Sequence, residues 1–519
     1  LAVPLTSPPA GLVACVPWLW RHVLFPGTLP VEAHSPRWHW LLLIVGPALL
    51  LYPCLHFHLL EPDEGRYAQI PCEMLQRGDW IVPHLQGEPY LDKPPLLYWL
   101  VMLSYQCFGV SAAAARLVPA LAVHLTLLIV YGFGRRWLGA SAALRGAMLL
   151  AVAPGFVGMG RLLILDGLLT LFTVLTLFSA YRATEGTRLH WGWWLLAAGS
   201  AGLGTLTKGP IVAVLALAPV VAHRWLAGTG ARLNAVAWLT FVAVGLAVNL
   251  PWYVAIASRE PTFLRYFFWE HHVLRFFAPF DHIQPVWYYV PIALGGLLPA
   301  TLFLIGLVRF VISPTEGEAR SAALGFCLLA GLGCIGLFSL SGSKLPTYIL
   351  PAFPPFALAA GYLLDRTARL RWQSTAALTV CGLLLAGVHY WVLPWYAAER
   401  SPFGQPAILA DYCADPDTPI VCYPRHCDSV AFYLGRADLR NVRSKHAVDL
   451  VQQLHNQPRT IVLFTHRHSL LALQNALPPS VRVKRSTSLR RTYGHPLLDR
   501  LCSDTPWGLC DIAVIVSAK

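Results

Sequence analysis

The feature that most constrains this 519-residue chain is a series of long apolar runs with few charges, divided by short polar stretches. Runs of about twenty apolar residues are what a helix needs to cross a bilayer. The composition agrees: 56% of the residues are hydrophobic and only 13% are charged, where soluble domains carry about a quarter charged residues. The formal net charge of +13 could suggest a nucleic-acid partner. Many of the Arg residues, however, fall in short clusters between apolar runs, which is how a membrane protein fixes its orientation. The lipid bilayer is therefore the expected partner, and nucleic acid is not. In the basic C-terminal stretch, Lys484, Arg485, Arg490 and Arg491 suit anionic headgroups or phosphates.

Candidate spans lie near 38–58, 112–133, 142–159, 166–181, 191–206, 210–226, 234–254, 288–311, 321–340, 345–364 and 374–394. The segment 94–109 is apolar but short and opens with two prolines, so it is expected at the interface rather than across the membrane. With that segment not crossing, one set of loops holds Arg135/Arg136, Arg182/Arg188, Arg224/Arg232, Arg309/Arg320 and Arg366/Arg369/Arg371. The positive-inside rule makes that set cytoplasmic. The loops 61–93, 160–166, 207–210, 255–287 and 341–346 then face the periplasm. The expected fold is an α-helical polytopic membrane protein of about 11–13 transmembrane helices, eleven by parity, with a C-terminal periplasmic α/β domain.

Residues 1–37 are expected to be cytoplasmic, 38–396 to form the transmembrane domain with a periplasmic loop at 61–95, and 397–519 to form the soluble domain. Within that tail, 420–423, 460–464, 480–483 and 511–516 read as strands and 448–455 as helix. Residues 11–20 are apolar, but Pro17 and the short length argue against a span or a cleavable signal peptide. No CxxC pair occurs. Cys54, Cys107, Cys327, Cys334 and Cys381 lie in apolar runs and read as packing residues. Cys413, Cys422, Cys427, Cys502 and Cys510 could form disulfides in a periplasmic tail, and the sequence does not choose a pair.

The loops that lack basic clusters hold nearly all the unusual polar residues, and charges at or in a membrane point to function. The first group is E-P-D-E-G-R-Y-A-Q-I at 61–70. If Pro62 opens a helix, Asp63, Arg66, Tyr67 and Ile70 share one face, with Glu64 beside them. The plainer alternative is that Asp63 and Glu64 only complement the helix dipole. The second group, 78–96, brings Tyr90, Asp92 and Lys93 to the edge of an apolar segment, at the depth of a lipid phosphate. A Lys there holds phosphate as a point charge, or merely snorkels.

Arg161 and Asp166 open a span, and Lys208 interrupts a long apolar stretch. Glu270, His271, His272 and Arg275 are flanked by aromatics, as in an interfacial helix. Asp92 and His272 would be the ligands of a divalent metal if one is used, although His271 and His272 point to different helix faces. Lys344 and Tyr348 lie in S-G-S-K-L-P-T-Y. Acidic groups (Asp63, Asp92, Asp166) and basic groups gathered on one side suit a phosphate-linked lipid. Cations would neutralise a leaving phosphate while a carboxylate acts on the acceptor.

The ordered set D-E-x-x-Y-A, G-D-W-x-V-P-x-L-x-G, K-P-P-L-x-Y-W, K-G-P, E-H-H-V-x-R-F and S-x-S-K-L-P-T-Y-x-L-P resembles the lipid A aminoarabinose transferases. These are GT-C membrane glycosyltransferases, related to the protein O-mannosyltransferases. The resemblance runs from about 61 to 365. It implies an inverting transfer from a polyprenyl-phosphate-linked sugar donor to lipid A or another envelope acceptor, at the periplasmic face of a bacterial inner membrane. It also implies catalytic roles for Asp63 and Asp166 and donor-phosphate binding by Lys93, with Arg66, Arg275 and Lys208 as further phosphate-binding cations. Glu64, Tyr67, Tyr90, Asp92, His271, His272, Lys344 and Tyr348 would line the cavity or meet the acceptor.

The chain departs from the enterobacterial form of the motifs in having Gly65 where that form has Thr, and Asp92 where it has Glu. The tail after 397 carries no resemblance. A Ser/Thr hydroxyl on a secreted protein is the alternative acceptor. A lipid-linked sugar transporter would need repeats and broken helices at the midplane, and the sequence shows no inverted repeat. A non-catalytic scaffold would have lost the acidic residues, yet Asp63 and Asp166 are both present.

Overall fold

The computed structural model describes residues 12–25, 36–274, 282–313, 320–401, 406–466, 468–489 and 511–518. The chain is mostly helical. Among the described residues, six helices are long and apolar enough to cross a membrane: Ala112–Leu138, Leu165–Thr184, Ala235–Arg259, Ala322–Leu340, Pro346–Arg366 and Ala368–Glu399. A seventh candidate is the pair Val286–Gly296 and Ala300–Ile312, bent by 101°. By length and composition the count is therefore six or seven, below the eleven to thirteen expected. Two of the expected segments that fall short are interrupted by backbone chemistry. Helix Arg37–Leu51 stops just before Pro53, and Ala140–Ala151 stops short of Pro154, because a proline cannot donate to the helical ladder and restricts the residue before it. Helix Leu96–Phe108 has 13 residues, about 20 Å at 1.5 Å per residue, which is too short for a hydrocarbon core of about 30 Å.

Two compact units make up the chain. The first comprises Leu1–Pro53, Leu91–Leu97 and Leu117–Ala386. Its core is aliphatic with an aromatic knot, in which the rings of Tyr181 and Phe326 stack at 3.9 Å and Trp137 meets Tyr181 edge-on. Helices Ala140–Ala151 and Phe353–Arg366 approach backbone to backbone. A Cβ on Gly361 would lie 2.4 Å from the Ala142 carbonyl oxygen and from the Gly146 nitrogen. Small residues at such a crossing allow the close van der Waals packing that holds helices together in lipid.

The second unit comprises Cys54–Tyr90, Tyr98–Arg116 and Gly387–Lys519. Its first part is the helix Asp63–Arg77 and a hairpin of β1 (His84–Leu85) and β2 (Glu88–Pro89). Gln86 and Gly87 both have positive φ, the backbone of a two-residue hairpin turn. The Glu73 carboxylate accepts both of their N–H groups, at 2.7 and 3.1 Å, and so ties the turn to the helix.

The rest of the unit is a five-stranded sheet of β3 (Ile420–Tyr423), β4 (Arg440–Asn441), β5 (Arg459–Phe464), β6 (Val481–Ser488) and β7 (Asp511–Ser517), in the order β4-β3-β5-β7-β6. β3 runs parallel to both β4 and β5, and β7 runs antiparallel to β5 and β6. The strand period of two divides the core. Ile420, Cys422, Ile461 and Leu463 pack with Val430 and Ala431 of helix Asp428–Leu434, while Val421, Val462 and Phe464 pack with Leu450 and Leu454 of helix Ala447–Asn456. The strands and helix expected in the tail all form, which makes this an α/β sheet covered on both faces.

Replacing Gly361 by Ala should lower stability by about 1–3 kcal/mol, the cost of overpacking a tight contact. The same change at Gly199, whose Cβ would meet nothing within 4 Å, should be neutral or stabilising because Ala is the better helix former. Thermal unfolding in detergent checks this, and equal effects at the two positions would contradict the close crossing.

Candidate functional site

In the second unit, helix Asp63–Arg77 begins with two acids at the positive end of its dipole. The two have different surroundings. Glu64 is buried and grips the guanidinium of Arg116, which is also buried, through Nε–Oε1 at 2.8 Å and Nη2–Oε2 at 2.6 Å. Arg116 further donates to the carbonyls of Leu55, Phe57 and His58, and stacks 3.6 Å above the Phe57 ring. The Glu64 carboxylate also accepts the Leu60 N–H. Expected to line a cavity, Glu64 is instead enclosed, and its carboxylate holds the entry into the helix.

Asp63 is different. Its side chain is 51% exposed and lies 3.8 Å from Arg66, which is 24% exposed. Arg66 also reaches Tyr90 at 3.5 Å and Asp428 at 3.8 Å. Its neighbours Tyr67, Tyr90, Asp428 and Asp63 hold the guanidinium firmly charged against the cost of burial. Of the expected face, Asp63 and Arg66 are open, while Tyr67 and Ile70 pack inward.

Below that face lies a carboxylate that the sequence reading leaves without a role. Glu61 is enclosed, and burial together with the nearby Asp428 pushes its carboxyl up to about 8. Its Oε1 accepts the Ser429 N–H at 2.6 Å. Asp428 is also buried, which raises its carboxyl, and it accepts from Gln86 at 2.6 Å and from Asn441 at 2.9 Å. This network explains Gly65. A Cβ there would lie 2.5 Å from both Glu61 Oε1 and the Ser429 nitrogen, so the Thr of the enterobacterial motif cannot be accommodated while helix Asp428–Leu434 sits in place. Position 65 is legible only with the tail present.

In the first unit, Asp166 and Lys208 form an ion pair at 2.6 Å, and the Lys208 ammonium lies 4.4 Å over the Tyr348 ring. The three come from the start of helix Leu165–Thr184, the end of helix Trp191–Lys208 and the 3₁₀ turn Pro346–Ala352. Asp92 accepts from Tyr266 at 2.5 Å, and Lys93 donates to the Asp92 carbonyl at 3.1 Å. Lys344 is buried and donates to the carbonyls of Gln284 and Ser341, a loop-holding arrangement. Arg275, Arg490, Arg491, Cys502, Cys510 and the side chains of His271 and His272 lie outside the described residues. Cys413, Cys422 and Cys427 are thiols. Among the described residues, no group of three or more His, Cys, Asp or Glu could hold a metal, and Asp92 is engaged by Tyr266.

A family profile described as dolichyl-phosphate-mannose-protein mannosyltransferase matches residues 92–254. The undecaprenyl phosphate-α-4-amino-4-deoxy-L-arabinose arabinosyl transferase 2 of Pseudomonas fluorescens is 33% identical over 382 residues, covering 72% of this chain. The corresponding transferase of Edwardsiella ictaluri is 35% identical over 372 residues, covering 67% of this chain. The match spans 64% of the length of each of these relatives. The crystal structure of ArnT from Cupriavidus metallidurans bound to undecaprenyl phosphate superposes with a TM-score of 0.71 at 22% identity, over 92% of this chain and 98% of that one. It shares the fold.

The buried Glu61 carboxyl gives a pH signature. Its pKa is raised from about 4.5 to about 8, so the folded chain holds a proton that the unfolded chain has released. The associated stability is fully present below about pH 4.5 and is lost as pH rises through about 8. Thermal unfolding of wild type should weaken across this window, and Glu61→Gln should flatten that slope. A slope identical in the two proteins would contradict the buried carboxyl.

Proposed function

We infer that this chain, which belongs to the GT-C membrane glycosyltransferase family of the aminoarabinose transferases, moves a sugar from a polyprenyl phosphate to a phosphate of lipid A or a related envelope acceptor. The proposed donor is undecaprenyl-phosphate-linked 4-amino-4-deoxy-L-arabinose, the sugar named for its relatives. The chain would lie in a bacterial inner membrane with its polar loops and C-terminal sheet in the periplasm. The loop charges support that orientation, since on the sequence's eleven-crossing reading the Arg pairs belong to the other set of loops.

The observation that carries the reading is the separation of the acids at 61–64. The Glu61 carboxyl and the Glu64 side chain are enclosed and tied to Ser429 and Arg116, while Asp63 presents its carboxylate to solvent beside Arg66. Interactions made only in the transition state accelerate a reaction, and an accessible carboxylate next to a fixed guanidinium can make them. In an inverting transfer the acceptor oxygen bonds to the anomeric carbon from the face opposite the phosphate. The carbon–oxygen bond to phosphate breaks, and its electron pair stays on the leaving phosphate. A phosphate acceptor is already ionised at neutral pH, so Asp63 orients it and Arg66 offsets its charge. A hydroxyl acceptor must lose a proton, which Asp63 would take.

Cations stabilise the departing phosphate. Lys93 is the proposed donor-phosphate ligand, with Lys208 a second, its ammonium fixed by Asp166 and Tyr348. The profile match at 92–254 to protein mannosyltransferases supports a second reading, with a protein hydroxyl as acceptor.

Membranes supplied with lipid-linked aminoarabinose should add one pentosamine mass to lipid A, read by mass spectrometry. Asp63→Asn should abolish the gain with insertion intact, and Lys93→Ala should weaken donor binding more than stability. Near-normal turnover by the Asn variant would overturn the role of Asp63. A mass gain on secreted protein rather than on lipid A would select the second reading.

A further inference from the structure

The C-terminal sheet carries a polar crevice apart from the groups given roles in the transfer above. From β3 the chain passes through helix Asp428–Leu434 to β4 on one side, then through helix Ala447–Asn456 to β5 on the other. The strand order therefore reverses at β3, and the two helices cover opposite faces of the sheet. In parallel sheets this reversal splays the loops at the carboxyl ends of the strands and leaves a crevice where ligands bind.

A cavity of about 410 Å³ lies beside that point, at the carboxyl ends of β3 and β4, in the range of small-molecule sites. His426 contributes from the loop after β3, Asn441 from β4, and Arg443, Lys445, His446 and Asp449 from the segment that follows β4. Val442 adds an apolar wall.

The lining is predominantly basic. Arg443 Nε donates to His426 Nε2 at 3.2 Å, which requires that imidazole nitrogen to be unprotonated. Burial and the positive charges of Arg443 and Arg66 hold His426 down to about 4. His446 pairs with Asp449 at 3.0 Å, so the acid of the cavity is already matched. Arg443 and Lys445 remain as exposed cations at the rim. The floor is fixed, because the Asn441 side chain donates to Asp428 and Gln86 while accepting the Cys427 N–H. An Arg fork, a Lys point charge and an imidazole around a fixed polar floor are the chemistry that recognises a phosphate monoester. The volume leaves room for a sugar ring beside it.

We propose that this crevice binds the phosphate of a phosphorylated saccharide. This rests on the proposed acceptor in one respect only: the saccharide would be the headgroup of the phosphate-bearing glycolipid that the enzyme modifies. Arg66, which acts electrostatically on His426, belongs to the same unit. The crevice would hold one phosphate of the acceptor while the transfer takes place at another.

The test is direct binding to the full chain in lipid nanodiscs, without donor, so that it stands apart from transfer. The probes are glucosamine 1-phosphate, glucosamine and inorganic phosphate, measured by calorimetry. Glucosamine 1-phosphate should bind, glucosamine should not, and Arg443→Gln with Lys445→Gln should weaken binding about tenfold for each charge removed. Arg443→Lys, which keeps the charge, should recover part of the loss. Both side chains are exposed, and unchanged thermal unfolding of the Gln variant separates lost binding from misfolding. Tighter binding of the sugar phosphate than of inorganic phosphate marks the headgroup as occupant, and equal binding marks free phosphate. No binding by wild type, or equal binding by the Gln variant, overturns the site even if transfer to lipid A is observed. Binding lost in the variant alongside absent transfer would keep the site and discard the acceptor.

Discussion

The buried pair of Arg116 and Glu64 sets the geometry on which the acidic motif depends. One guanidinium near the start of helix Ala112–Leu138 satisfies three of the carbonyl groups of the Leu55–His58 segment and both oxygens of Glu64. Buried carbonyls without partners are expensive, and this segment has no helix or sheet to supply them. Removing one partner of a buried, hydrogen-bonded pair typically costs about 3–5 kcal/mol, because the other charge stays behind unmatched. The pair therefore matters less as net stabilisation than as a fixed point. It sets where helix Asp63–Arg77 begins, and so where the Asp63 carboxylate emerges.

A second fixed point acts on the same helix from the other end of the sequence. Ser429 donates its backbone N–H to Glu61, and Asp428 lies against Arg66 while accepting from Gln86 and Asn441. The contacts to Glu61, Arg66 and Gln86 join the acidic motif and the hairpin to the start of helix Asp428–Leu434. Burial, and then the neighbouring Asp428, push the Glu61 carboxyl up to about 8, which is why it is held protonated well into the neutral range. Asp428 in turn lies 3.8 Å from Arg66, a contact that helps hold the guanidinium beside Asp63. Gly65 belongs to the same arrangement, since its missing side chain is the space that Ser429 occupies.

Local pattern made much of this legible. The strand period in the tail, the proline-led short segment before Gly109 and the helical face through Asp63 and Arg66 all follow from spacing over a few residues, and the structure forms each of them. The crossing count was less legible, because apolar runs such as 38–58 and 142–159 contain prolines that end the helix while the hydropathy continues. Glu61 could not be assigned a role, because its partners lie at 428 and 429 and sequence spacing carries no information over that distance. Arg116 carried a usable signal: it is an arginine inside an apolar run, and such a charge needs a partner. The same rule would have sent the search to a nearby carboxylate and separated Glu64 from Asp63.

That separation bears on how the motif can do chemistry. Three carboxyl groups within four residues would repel one another in a shared site and raise one another's pKa. Here burial and pairing give them different fates. Glu64 is neutralised by Arg116, Glu61 carries its proton, and Asp63 stands at the helix start with Arg66 one turn away. Asp63 lies at the positive end of the helix dipole with Arg66 one turn away, so a carboxylate and a cation are presented side by side at one exposed edge. An acceptor that is itself anionic is attracted by the cation and repelled by the carboxylate, and it can approach only in the orientation that satisfies both. A neutral hydroxyl faces no such restriction. The paired arrangement therefore discriminates by orientation when the acceptor is a phosphate and by proton transfer when it is an alcohol.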